Sequence, residues 1–235
     1  MAQVARVTAK RIILHLLAFL LLSTPGFAED HVILTGGPSL KRWEHLRVPN
    51  ERHDRWWANF IRASTLRMVE IRRAYDPNAR LVWMVYRPSY RTRARDDGKP
   101  YLTWISDLAR KRNATLIWID SSDDVIRAFN SRPKHSIITF DYFGHSNRHC
   151  FLIDYGNAIM AASTAWLHEK DLRRIHRNIF DRRAYCKSWG CHTGESMSKV
   201  WRKSLGVRLE GAVGKTDYAV VGHGYMPKLI GRWSR

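Results

Sequence analysis

Two segments carry the residues able to do chemistry. Residues 141–150 read DYFGHSNRHC, and residues 185–195 read YCKSWGCHTGE. Each follows an apolar run, and together they hold all three cysteines of the chain, Cys150, Cys186 and Cys191. Imidazole exchanges protons near neutral pH, and a thiolate is both a nucleophile and a metal ligand. Three arrangements are therefore open: a metal cage, a disulfide clasp, or two halves of a catalytic site. A zinc site drawn from His145, His149, Cys150, Cys186, Cys191 and His192 lacks CxxC or HExxH spacing, and its candidates fall on different loops. A dithiol redox motif needs a closely spaced pair, whereas Cys186 and Cys191 lie five residues apart. Neither a metal nor a cofactor is expected on these grounds. An inert, packed thiol at Cys191 is the plain alternative to a reactive one.

The surrounding elements must bring these segments together. HVILT (31–35), LVWMVY (81–86), ATLIWI (114–119), HSIITFDYF (135–143), RAYCKSW (183–189) and VRLEGAV (207–213) read as strands, and YAVVG (218–222) as a candidate last one. LVWMVY has large residues on both parities, so it is expected to be covered on both faces. Helical spacing marks 54–74, 101–112, 168–180 and 194–205, and DSSDDVIRAF (120–129) opens on capping residues. RPSYRTRARDDGK (87–99) reads as a basic loop, and GHG (222–224) as a further loop. The ten tryptophans are expected mainly in packing. Strands separated by helices imply crossover connections, hence a single three-layer α/β/α domain with a mostly parallel central sheet.

In such a sheet the C-terminal strand ends share one edge, where open α/β folds place their sites. His145 falls just past one strand and Cys191 just past a later one, so they can meet across the intervening sequence. With the helix expected to begin at Gly194, Cys191 would see the positive end of its dipole, which favours thiolate. His145 would act as general acid and base, and the Cys191 N–H with one from the His145 loop could hold an oxyanion. That is an acyl-transfer site. Gly144 and Gly190 are expected to let backbone approach a substrate.

A strand ending in Gly-His followed by one ending in Cys-His-Thr-Gly resembles the caspase-like cysteine peptidases: caspases, metacaspases, gingipains and clostripain. GCHTG is especially similar to the metacaspase nucleophile loop. The resemblance spans roughly 135–222, with only strand-helix rhythm before it. It implies a caspase-like fold, a dyad of His145 as base and acid with Cys191 as nucleophile, and a peptide or protein substrate. Two positions depart from the pattern. Ser146 stands where glycine usually follows the histidine, and Trp189 where metacaspases carry the acidic residue that selects basic side chains. Asp141 or Asp217 is the candidate to supply that acidity.

The first 28 residues read as a secretory signal. Arg6, Lys10 and Arg11 precede the apolar run IILHLLAFLLL (12–22), and Gly26 and Ala28 suit a small-residue cleavage site. No other run approaches the roughly 18–20 apolar residues of a membrane helix. The expected mature chain, 29–235, is exported, periplasmic or secreted, without a transmembrane segment. Removing three basic residues lowers the formal charge from +19 to +16. So basic a surface attracts polyanions nonspecifically, although no nucleic-acid motif or phosphate loop accompanies it. A non-catalytic caspase-like protein, or a basic polyanion-binding one, is therefore the competing function. In an exported chain two of three cysteines can pair, and Cys150–Cys186 is the expected bridge, leaving Cys191 free.

Overall fold

The computed structural model describes residues 29–38, 48–49, 56–155 and 164–234. The expected signal segment lies outside these residues. The strands are β1 (Asp30–Thr35), β2 (Arg80–Tyr86), β3 (Ala114–Ile119), β4 (Ile137–Phe143), β8 (Phe180–Ser188), β9 (Leu209–Asp217) and β10 (Lys228–Trp233), which form one sheet. Three short strands, β5 (His145–Ser146), β6 (Cys150–Leu152) and β7 (Trp166–His168), form a second. The helices are α1 (Asn59–Ala74), α2 (Arg87–Asp97), α3 (Tyr101–Lys111), α4 (Ser122–Asn130) and α5 (Met197–Leu205).

The large sheet runs β10-β9-β8-β4-β1-β2-β3, and every pairing is parallel except β9 with β10. The chain winds outward from β1 to β3, returns to β4 beside β1, and continues outward through β8 and β9. The winding direction reverses between β1 and β4, the kind of switch point at which open α/β sheets place their sites. Two apolar clusters cover the two faces. One gathers Val125 and Phe129 of α4 with Met197, Trp201 and Leu205 of α5 against Phe140 and Cys186. The other gathers Phe60, Ile61, Met68 and Ile71 of α1 with Tyr90 of α2 and Ile105 of α3 against Ile33, Trp83 and Phe143. This is the expected three-layer α/β/α arrangement around a mostly parallel sheet.

Strand β1 is buried along its whole length, so its polar groups need internal partners. His31 Nδ1 meets Thr139 Oγ1 at 2.9 Å. Thr35 Oγ1 lies 2.6 Å from Ser64 Oγ and accepts from Trp83 Nε1 at 2.8 Å. Asp30 takes Arg80 and, at 3.1 Å, the Ser136 hydroxyl.

Several segments differ from their sequence reading. The basic stretch 87–99 is helix α2: Pro88 suits the first turn, Gly98 caps the end in the left-handed region at φ 61°, and Tyr90 anchors it by donating to Gly36 O at 2.9 Å. Residues 168–180 are two 3-10 turns, Glu169–Arg174 and Arg177–Ile179, rather than one helix. Asn130 interrupts them, donating to Arg174 O at 2.9 Å and accepting from His176 N at 2.8 Å. The stretch 218–222 is not a strand: a 3-10 turn, Ala219–His223, takes its place, and the antiparallel β10 takes the edge. Of the tryptophans expected in packing, Trp83 is fully buried, while Trp56 and Trp104 are 56% and 41% exposed.

The expected Cys150–Cys186 bridge is not formed; all three cysteines are free thiols. Cys186 sits mid-sheet between Phe140 and Leu209, facing the α5 side. Cys150 belongs to the small sheet, paired with His168. The excursion after β4 thus carries Cys150 onto a different sheet. Among the described residues no helix is long and apolar enough to cross a membrane.

Candidate active site

His145 directly follows β4 and Gly144, and Cys191 follows β8. Because β4 and β8 are parallel neighbours, both leave the sheet at the same edge, beside the switch point between β1 and β4. The two loops touch: Ser146 Oγ donates to Cys191 O at 2.7 Å. His145 and Cys191 are each half-buried.

The imidazole of His145 is held between aromatic rings. It stacks on Tyr155 with centroids 4.4 Å apart at 25°, and meets Phe60 of α1 nearly perpendicularly, 5.2 Å away. Below it, the buried Tyr142 hydroxyl donates to the His145 carbonyl at 2.5 Å, fixing the backbone that carries the ring. Burial pushes the Tyr142 phenol well above its usual range, so it stays a donor.

The Cys191 sulfur faces β9. Thr216 N donates to it at 3.4 Å, and Thr216 Oγ1 lies 3.5 Å away. That hydroxyl itself donates to Trp189 O at 2.8 Å, as does Tyr218 OH at 3.0 Å. Tyr218 in turn packs against Phe60, 4.8 Å between centroids, so one ring of α1 touches both the histidine and the support of the cysteine loop. The Cys191 backbone N–H donates to no acceptor among the described residues. His192 adopts φ 64° and places Nδ1 2.6 Å from Glu195 Oε1. Helix α5 begins at Met197, six residues past Cys191, with turns between. The helix dipole acts over about one turn, so Thr216, not a helix end, is the polar neighbour of the sulfur.

The other expected site residues serve the scaffold. A Cβ on Gly144 would overlap the Tyr142 hydroxyl, and one on Gly190 would overlap the Ser146 side chain. Both glycines thus admit protein neighbours at the places reserved for substrate. Asp141 is fully buried; its oxygens accept from Arg67 Nε at 2.9 Å and Trp189 Nε1 at 3.0 Å. Such a carboxylate is spent inside the fold, and it explains Trp189: the indole N–H needs a buried acceptor. Asp217 caps the following turn, accepting from Ala219 N at 2.8 Å. The loop around 222–224 is exposed.

Sequence reading missed Tyr142, Thr216, Phe60 and Tyr155. Tyr142 alternates within an apolar strand as any core residue does, and only its position three residues before His145 hinted at a role. No cluster of three or more His, Cys, Asp or Glu side chains able to hold a metal occurs among the described residues. Comparisons with protein-family models, curated proteins and solved structures find no significant match.

Proposed function

We propose that the chain is a caspase-like cysteine peptidase acting through His145 and Cys191. The observation that carries the reading is the Ser146–Cys191 hydrogen bond, 2.7 Å, which ties a Gly-His loop to a Gly-Cys-His-Thr-Gly loop at the C-terminal edge of a parallel sheet. In this mechanism His145 takes the Cys191 proton, and the thiolate sulfur attacks the scissile carbonyl carbon. The Cys191 N–H receives the developing oxyanion. His145 then protonates the leaving amine as the C–N bond breaks, leaving a thioester that water, deprotonated by the same imidazole, hydrolyses. Half-exposure of both residues suits attack on an external peptide. Trp189, turned inward onto Asp141, argues against selection of basic side chains from that position.

The test is labelling by an acyloxymethylketone probe followed by peptide mapping. Label on Cys191 that disappears in Cys191→Ala, and forms roughly a hundredfold or more slowly in His145→Ala, supports the dyad. Equal labelling of Cys191→Ala, or a His145→Ala variant as reactive as the parent, sinks it.

A further inference from the structure

A cavity of about 490 Å³ opens beside the turn that carries Cys191 and His192, lined by Lys199, Arg202, Arg208 and Arg232 together with one carboxylate, Glu195. The cations come from separate parts of the chain: Lys199 and Arg202 from successive turns of α5, Arg208 from the segment before β9, and Arg232 from the edge strand β10. Exposed basic residues scattered over a basic protein need no explanation, but four converging on one concavity raise its potential, and low-dielectric walls focus it. Their charge is barely answered from within. Lys199, Arg202 and Arg232 make no side-chain hydrogen bond or ion pair among the described residues, and Arg208 donates only to the neutral Ser234 carbonyl, at 2.9 Å. Glu195 is engaged by His192 at 2.6 Å and by Arg148 at 3.6 Å. The hydroxyls of Ser198 and Ser234 also line it but are engaged within the fold, Ser198 donating to Thr193 O at 2.9 Å and Ser234 to Ser198 at 3.3 Å.

We propose that this cavity binds a compact oligophosphate group, one ligand per chain. Three guanidinium forks suit the paired oxygens of phosphate, the volume is that of a small-ligand site, and four cations exceed what a single orthophosphate would satisfy. The inference is independent of the peptidase reading, and Cys191→Ala is expected to bind equally well. It is also distinct from nonspecific attraction to the basic surface, because it names one place.

Inorganic triphosphate titrated calorimetrically at 0.15 M salt tests it, since screening beyond about 8 Å suppresses diffuse attraction there. The expected result is saturable one-to-one binding, about tenfold or more tighter than orthophosphate. Arg202→Gln and Arg232→Gln should each weaken it about tenfold, while Arg73→Gln and Arg182→Gln, exposed cations elsewhere, leave it unchanged. Thermal melts confirm that the variants stay folded. A phosphorylated lipid headgroup offers the same chemistry. Co-sedimentation with phosphatidylcholine vesicles, with and without phosphatidylinositol bisphosphate, separates the sources: capture lost in Arg232→Gln assigns the headgroup, and triphosphate binding without capture assigns the free form. No saturable binding in either arm, or equal loss in the Arg73 and Arg182 controls, overturns the proposal.

Discussion

The Ser146 hydroxyl donates to the Cys191 carbonyl oxygen at 2.7 Å, across 45 residues of sequence. Gly190 leaves the space that the hydroxyl occupies, since a Cβ there would overlap Ser146. Ser146→Ala is expected to cost about 1 kcal/mol of stability. Gly190→Ala should cost about 1–3 kcal/mol through overpacking. Urea unfolding of Gly190→Ala/Ser146→Gly should show a loss smaller than the sum of Gly190→Ala and Ser146→Gly each measured alone, because the second removes the obstacle to the first. Strict additivity would mean that the two loops do not share this contact.

Asp141 and Arg67 form a deeply placed ion pair on the α1 side of the sheet, with side-chain exposures of 0% and 13%. Asp141→Asn leaves the guanidinium only the more exposed Glu70, 3.2 Å away, and is expected to destabilise the chain by about 2–4 kcal/mol. The double variant Asp141→Leu/Arg67→Met should recover most of that loss in chemical denaturation. A mild effect of Asp141→Asn would show that water reaches the pair.

Acid stability should depend on His31. Burial, followed by the charge of Arg67, lowers its pKa from 6.5 to about 4, against the opposing pull of Asp30 and Asp76. Between those values the unfolded chain binds a proton that the folded one refuses, so stability falls as pH drops from 6.5 toward 4. In His31→Gln that part of the slope should vanish, as judged by unfolding midpoints at pH 7 and pH 5. An unchanged slope would assign the acid sensitivity to other groups.

Thiol reactivity should separate the three cysteines. Burial raises the Cys150 pKa from 9.0 to about 11 and pushes Cys186 higher still, whereas Cys191 is half-exposed. A disulfide reagent at pH 8 is expected to modify Cys191 alone in the folded chain and all three in denaturant. For Cys150 the unfolded state loses its proton first, so stability declines as pH rises from 9 to about 11, and Cys150→Ala should flatten that decline. Rapid native labelling of Cys150 or Cys186, or a bridged pair seen by intact mass, would contradict the free, buried thiols.

Much of the sheet was legible because its strands are buried on both faces. Residues such as Val82, Trp83, Met84 and Val85 must then all be apolar, and continuous runs of that kind are visible without any contact information. The Ser121 cap of α4, which accepts from Asp124 N, was equally local. The segments misread were those decided at a distance. The run 168–180 has helical spacing, but Asn130 ends its turns by donating to Arg174 O and accepting from His176 N, and a charge-dense stretch becomes α2 because Tyr90 is anchored to Gly36. In the candidate site the sequence determined the residue types, a histidine after one strand and a cysteine after another. Only the tertiary structure decided that β4 and β8 are neighbours, that Ser146 and Tyr142 fill the room left by two glycines, that Asp141 is spent on Arg67 and Trp189, and that Cys150 and Cys186 stand on different sheets. Strand periodicity fixes which way a side chain points, whereas the partner it meets depends on which strand the chain returns to, and that is set by packing of the whole sheet.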